Sequence, residues 1–276
     1  RREEVLRNHW FFSQEVGKEE ALASDFQREN WQAIQVPHDW SIYNDFDQYS
    51  PAQNEGGQLN GGQAWYWTQF YLEEDASLVS VHLLFDGVYM NAQVYINGQV
   101  LGYYPNGYTP FSYDITPYLR NDGTANKLAV FVENQQPSSR WYSGSGIYRE
   151  VKLLITDSVH LDLYGIKIES PKLKEQRDGW VETQLTSKVS NDGPQSVSVY
   201  LEQSIWYDGQ QLSDWQATDS LVIEAGDKHH FKQAISIFQP LLWDIDHPHL
   251  YQLKTRLYKN GILVDEEEET FGYRYM

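Results

Sequence analysis

The sequence predicts an all-β protein, a jelly-roll sandwich followed by an immunoglobulin-like β-sandwich. Three observations carry this. Apolar and polar residues alternate with a period of two through much of the chain, the pattern of strands with one buried face. Turn pairs punctuate the alternation, Asn97-Gly98 and Asn260-Gly261 among them. Helical periodicity is scarce, while Tyr and Trp, which favour strands, number 20 and 10.

The elements follow in order. Residues 80–86 (SVHLLFD) read as a strand, and residues 92–96 (AQVYI) as another, ending at Asn97-Gly98. That pair favours a type I′ turn, so residues 100–104 are expected to return antiparallel. Residues 127–133 (KLAVFVE) and 148–155 (YREVKLLI) add two more strands. Short strands at this spacing make a sandwich or jelly roll. A second series begins near Ser158, with strands expected at 159–169, 181–190, 197–206, 231–237 and 250–258, then a return over 262–265 after Asn260-Gly261. About seven strands in about 110 residues suit an immunoglobulin-like sandwich. The boundary is expected near residues 156–159. Phe85, Val88, Ala92, Val94 and Ile96 are assigned to the core, and Trp243, Tyr251 and Phe271 to packing in the second sandwich. The acidic run at residues 266–269 reads as a solvated strand edge.

Composition excludes several functions. The net charge is −18, and no basic stripe interrupts it, which argues against nucleic acid and against an anionic membrane surface. The chain has no cysteine, so disulfides, thiolate metal sites and cysteine catalysis are absent. No apolar run approaches the roughly 18 residues of a membrane span, so no membrane insertion is expected. The start, Arg1-Arg2-Glu3-Glu4, lacks the apolar stretch of a signal peptide and reads as the cut end of a longer chain. The compartment stays open.

Seven segments stand in a fixed order: VPHDW (36–40), GGQAWYWTQF (61–70), FDGVYMNAQVYING (85–98), GYTPFSYDIT (107–116), SRWYSGSGIYR (139–149), PLLWDIDHPHLYQL (240–253) and FGYR (271–274). Together they resemble the N-terminal half of family 2 glycoside hydrolases, and VPHDW and SRWYSGSGIYR look most like β-galactosidases. The resemblance implies a galactose-binding-like jelly roll over residues 1–157, an immunoglobulin-like sandwich over 158–272, and at 273–276 the lead-in to a catalytic (β/α)8 barrel not contained in this chain. It also implies a β-galactoside as the substrate of the full-length enzyme, and the barrel as the partner of these domains. β-Glucuronidases and β-mannosidases share much of this scaffold and stand as alternatives.

Candidate substrate-binding residues are Arg140, Trp141, Ser139 and Asp39. Residues 134–139 (NQQPSS) are polar and contain Pro137, so Arg140 and Trp141 sit on a loop, where binding groups usually lie on a rigid sandwich. Arginine offers five donors in a fixed fork, and tryptophan stacks on sugar faces. The competing role for Arg140 is an ion pair at a domain interface. By resemblance, this loop helps wall the active site. Asp39, beside Pro37 and Trp40, reads first as an acceptor of backbone N–H groups in a tight loop. His247 and His249, with Asp244 and Asp246 nearby, have metal-ligand chemistry, but Pro248 between them and the resemblance favour a loop. No metal and no cofactor is expected.

Retaining glycoside hydrolysis needs two carboxyl groups about 5–5.5 Å apart. In the resembling family both are glutamates of the barrel, and a barrel needs about 250 residues of its own. Asn54-Glu55 and Glu133-Asn134 only imitate the family's Asn-Glu pair, so no catalytic residue is assigned. The chain alone is expected to be inactive. A freestanding galactoside-binding, lectin-like module and a scaffold without ligand affinity are the competing functions.

Overall fold

The computed structural model describes residues 1–26, 29–75, 78–175 and 178–274. Among these, strands dominate; the helical pieces are Lys18–Ala21 and single turns at Ser41–Tyr43, Thr116–Tyr118 and Leu173–Glu175. The chain divides into two compact units. One comprises Arg2–Ala76 and Val81–Ile155; the other comprises Thr156–Met276 with Ser77–Ser80 and Arg1. Of the segment read as a barrel lead-in, Tyr275 and Met276 lie outside the described residues.

The first unit contains two antiparallel sheets. A six-stranded sheet runs in the order Gln32–Ile34, Trp10–Ser13, Gly62–Phe70, Asn126–Asn134, Ala92–Ile96, Gln99–Tyr104. A four-stranded sheet runs Arg2–Val5, Val151–Asp157, Val79–Phe85, Phe111–Asp114. Alternation places Val81, Leu83 and Phe85 of one sheet, and Val94, Ile96, Val130 and Val132 of the other, in complete burial. Val88 and Ala92 join them, as the sequence predicted.

Strand Gly62–Phe70 breaks the alternation rule because both of its faces are covered. Tyr66 is fully buried on one side. On the other, Trp65 and Trp67 pack with Tyr95 and Ala129 beneath Ala21 and Trp31, with Phe26 also against them. The Phe26 ring stacks on Trp67 at 3.9 Å and 3°. Offset aromatic packing of this kind adds about 0.5–1.5 kcal/mol beyond area burial.

The Asn97-Gly98 hairpin forms as expected, with both residues at positive φ (49° and 83°), the region a type I′ turn requires. Its antiparallel return runs Gln99–Tyr104, with a register shift between Val94 and Tyr95. The Asn97 carboxamide is also a brace: it donates to Tyr118 O and Asn126 Oδ1 at 2.9 Å each, and accepts from Lys127 N. Asp114 caps its turn as read, accepting from Thr116 N at 2.9 Å. One strand is shorter than expected at its start. The strand begins at Val151 rather than at 148, and the Tyr148 hydroxyl ahead of it donates to Gly107 O at 2.7 Å.

The second unit pairs a three-stranded sheet (Val159–Glu169, Trp180–Asn191, Lys228–Phe238) with a six-stranded one. The main path of the latter is Gln210–Gln211, Val197–Tyr207, Tyr251–Lys259, Ile262–Phe271, with Gln216–Ala217 and Leu221–Ile223 also paired to Val197–Tyr207. Two apolar clusters fill the space without a disulfide. One centres on Leu185, Ile205, Ile235 and Leu253; the other on Leu161, Val189, Val199, Leu201 and Leu257. Tyr251 is buried and Phe271 packs against the first cluster, while Trp243 is only half-buried. The final strand is an edge whose outward glutamates pair across to the neighbouring strand, Glu266 to Arg256 at 2.8 Å and Glu268 to Lys254 at 3.4 Å. Its other side carries Asp265, to which Arg1 donates twice at 2.8–2.9 Å, and Glu267, paired with Arg1 at 2.8 Å.

Candidate functional site

Residues 36–40 and 139–149 meet through their backbones. His38 N donates to Ile147 O at 2.7 Å, and Trp40 N to Ser145 O at 3.0 Å. Close approach demands glycine here. Gly146 sits at φ 121°, and a Cβ on it would lie 2.2 Å from Tyr66 Oη and 2.7 Å from His38 O. Gly144, at φ 71°, faces Asp39 Oδ2 in the same way at 2.9 Å.

Asp39 is the brace between the two segments. Its Oδ1 accepts the N–H groups of Ser41 at 3.0 Å and Ser145 at 2.8 Å. Its Oδ2 accepts the Tyr142 hydroxyl at 2.6 Å. Burial, and then the Asp39 carboxylate, push the Tyr142 phenol far above its ordinary range, so it stays a donor. Beneath lies a buried polar layer. Asn134 Nδ2 donates to Gly144 O at 3.1 Å and Ser145 Oγ at 2.7 Å, and Ser145 Oγ lies 2.6 Å from Ser41 Oγ. Gln136 clamps a third loop, accepting from Gly61 N and donating to Leu59 O. Buried polar groups satisfied in this way fix a loop without an apolar core.

On that base the residues 139–141 stand out from the surface. Ser139 Oγ donates to Trp141 O at 2.6 Å, holding the loop turned. Trp141 is 56% exposed, and its indole N–H donates to Tyr108 Oη at 2.7 Å. Tyr108 in turn meets Tyr89 edge-on at 5.3 Å. Arg140 is exposed, and its guanidinium makes no hydrogen bond or ion pair among the described residues. The arrangement offers a half-open aromatic surface and a set of unused donors side by side.

Of the four candidate residues, Ser139, Arg140 and Trp141 thus share one loop, and Asp39 lies behind that loop and supports it. Tyr108 and Tyr142 belong to the same constellation and were not singled out from the sequence. Tyr142 could have been, since it directly follows Trp141; nothing local marks Tyr108. Phe46 and Tyr49, 78% and 84% exposed, form a further aromatic surface on the neighbouring loop. Asn54 and Glu55 lie exposed in a turn, and Glu133 ends a sheet strand. Asp244 Oδ1 accepts the N–H groups of Asp246 and His247, making a turn of that acidic-histidine stretch. Among the described residues no group of His, Asp and Glu is placed to hold a metal.

Comparisons with known proteins match this chain in both units. Residues 4–157 match the family described as glycosyl hydrolases family 2, sugar binding domain, and residues 159–274 match glycosyl hydrolases family 2. A β-galactosidase of Bacteroides ovatus is 37% identical, covering 92% of this chain and 30% of its own length. A β-glucuronidase of Formosa agariphila is 27% identical, covering 88% of this chain and 27% of its own. Among solved structures, a family 2 glycosyl hydrolase of Bacteroides cellulosilyticus superposes with a TM-score of 0.88 at 30% identity, over 99% of this chain and 35% of that one. A Bacteroides uniformis β-glucuronidase gives 0.85 at 26% identity, over 99% of this chain and 32% of that one. The chain therefore spans about a third, or less, of the length of these proteins.

Proposed function

The chain belongs to glycosyl hydrolase family 2, and from that premise we propose that it is the non-catalytic N-terminal portion of a β-galactosidase. In this reading residues 1–157 form the sugar-binding domain, residues 158–272 a rigid spacer, and residues 273–276 lead towards the catalytic barrel. The full-length protein hydrolyses terminal β-galactosides by a retaining mechanism, with both carboxyl groups supplied by the barrel. This chain contributes a wall of the substrate pocket.

One observation carries the assignment of the wall. Arg140 projects from a loop that is fixed from below by Asp39, yet its own donors are unused among the described residues. A guanidinium held for structure would be expected to have an acid beside it. One held for a ligand is left open, and galactoside hydroxyls accept from such a fork. Trp141 adds an apolar face beside it. The roles are therefore hydrogen bonding for Arg140, stacking for Trp141, and positioning for Ser139 and Asp39.

A second reading has its own support. A free guanidinium suits a carboxylate even better than a hydroxyl, and several relatives are named β-glucuronidases. The same wall would then hold a uronate. Assay of the full-length protein with chromogenic β-galactoside and β-glucuronoside decides between the two. Under the first reading the galactoside is the better substrate by kcat/KM, and the 276-residue chain alone releases no product above a buffer blank. Turnover by the isolated chain, abolished by replacing one of its own carboxylates, would overturn the assignment.

A further inference from the structure

A groove along the edge strand Gln32–Ile34 in the first unit has a chemistry of its own. We propose that it is a separate binding site for a neutral saccharide, distinct from the wall that carries Arg140. The groove has a volume of about 780 Å³, within the size range of small-molecule sites. Charged residues make up 22% of the chain, yet no Asp, Glu, Lys or Arg lines this groove.

Its wall is aromatic. Tyr43 is 79% exposed, and its ring lies near-parallel to His38 at 5.9 Å and 24°. The phenol is inclined towards the imidazole on one side, and its exposed ring is open to the apolar face of a sugar ring. His38 is itself oriented, with Nδ1 2.9 Å from Tyr66 Oη. Burial keeps the imidazole neutral by lowering its pKa, against the opposing pull of Asp39, and keeps the Tyr66 phenol protonated. With both groups uncharged, the contact between Nδ1 and Tyr66 Oη is a neutral hydrogen bond that fixes the plane of the ring.

The floor offers amides and a second imidazole. Gln35 Nε2 donates to Asn8 Oδ1 at 2.9 Å, which leaves Gln35 Oε1 as an acceptor and the Asn8 amide as a donor. Gln32 and His9 are exposed, and neither side chain has a partner among the described residues. His9 sits at φ 62°, an uncommon conformation for a non-glycine residue, with its carbonyl held by Thr68 Oγ1 at 3.0 Å. Such backbone conformations persist where the surroundings impose them, and cluster at functional sites.

Neutral donors and acceptors beside a stacking ring complement hydroxyl groups, each of which both gives and takes a hydrogen bond. An anion finds no Lys or Arg in this lining to offset its charge, and a net charge of −18 repels it. The site thus selects uncharged sugars over uronates and phosphates.

Isothermal titration of the 276-residue chain tests this with β-1,4-linked tetrasaccharides of galactose, glucose and mannose, and with tetragalacturonate as the anionic counterpart. At least one neutral tetrasaccharide is expected to bind. Its affinity is expected to fall at least tenfold in both Tyr43→Ala and Gln32→Ala, exposed positions whose replacement leaves the melting temperature in place. Arg140→Ala, run in parallel, tests the other wall, so the two assignments fail separately. Binding by none of the neutral sugars, equal binding of tetragalacturonate, or affinity lost in Arg140→Ala but untouched in Tyr43→Ala and Gln32→Ala, would overturn the proposal.

Discussion

The Tyr142 hydroxyl donates to Asp39 Oδ2 at 2.6 Å across a separation of 103 residues. Asp39 also accepts from two backbone N–H groups, so a single carboxylate sets the geometry of the loop that carries Arg140 and Trp141. Asp39→Ala leaves the donors of the buried residues Ser41 and Ser145 without their acceptor. The expected loss of stability is on the order of 3 kcal/mol. Hydrogen exchange at the Ser41 and Ser145 amides is expected to accelerate more than exchange in the sheets. Unchanged exchange at those two amides would remove Asp39 from its bracing role.

Arg140 makes the opposite prediction. Its side chain stabilises nothing among the described residues, so Arg140→Ala is expected to leave the melting temperature of the full-length protein nearly unchanged. The same substitution is expected to lower kcat/KM by about 1–3 kcal/mol in transition-state free energy, the scale of a hydrogen bond from a charged donor. Steady-state kinetics and a thermal melt on one preparation check both halves. A destabilised protein whose folded fraction keeps full specific activity would make Arg140 an interface residue instead.

Glu267 gives the second unit a dependence on pH. Burial, reinforced by Glu269 and Asp265 and opposed by Arg1, pushes its carboxyl from 4.5 up to about 7. One oxygen meets Arg1, while Oε2 is buried without a partner. The folded state therefore holds this proton more tightly than the unfolded chain. Its contribution to stability is fully present below pH 4.5 and is lost as pH rises through 7. Between those limits the stability of the wild type relative to Glu267→Gln is expected to fall by on the order of 3 kcal/mol. Urea midpoints across that range measure it, and a constant difference would contradict the assignment.

His160 contributes in the same sense by other means. Both ring nitrogens face acceptors, Nδ1 at 3.0 Å from Leu161 O and Nε2 at 2.9 Å from Asp192 Oδ2. Burial alone would pull its pKa down, but Asp192, the Leu161 carbonyl and Asp162 together raise it above 6.5. The added stability is complete below pH 6.5 and disappears as pH climbs through the raised value. His160→Gln is expected to cost about 1.5–3 kcal/mol at pH 5.5 and markedly less at pH 9, read from urea midpoints.

Much of the architecture was legible because alternation and turn chemistry are local. Strand Ala92–Ile96 lies where the sequence put it, as does Val159–Glu169, and the five assigned core residues of the first sandwich are all fully buried. Strand Gly62–Phe70 showed no period because Trp65, Tyr66 and Trp67 are covered on alternate sides by different parts of the chain. The Arg140 loop was visible through its polar, proline-containing approach and its family resemblance. The tie from Asp39 to Tyr142 was not, since no short-range signal links residues 103 positions apart. Tyr108 was hidden for the same reason: only folding sets its hydroxyl under the indole of Trp141.

The two Asn-Gly hairpins will age differently. Conversion of asparagine to a succinimide requires the nitrogen of the following glycine to attack the side-chain carbonyl carbon, and the carboxamide must swing free to be reached. At Asn97 that group is held by Tyr118, Asn126 and Lys127. At Asn260, among the described residues, only Ser198 N grips it, through Oδ1 at 3.1 Å, and the residue is exposed. In mildly alkaline storage, isoaspartate should therefore accumulate at Asn260 before it does at Asn97, so of these two hairpins the one that folding leaves looser is the chemically shorter-lived.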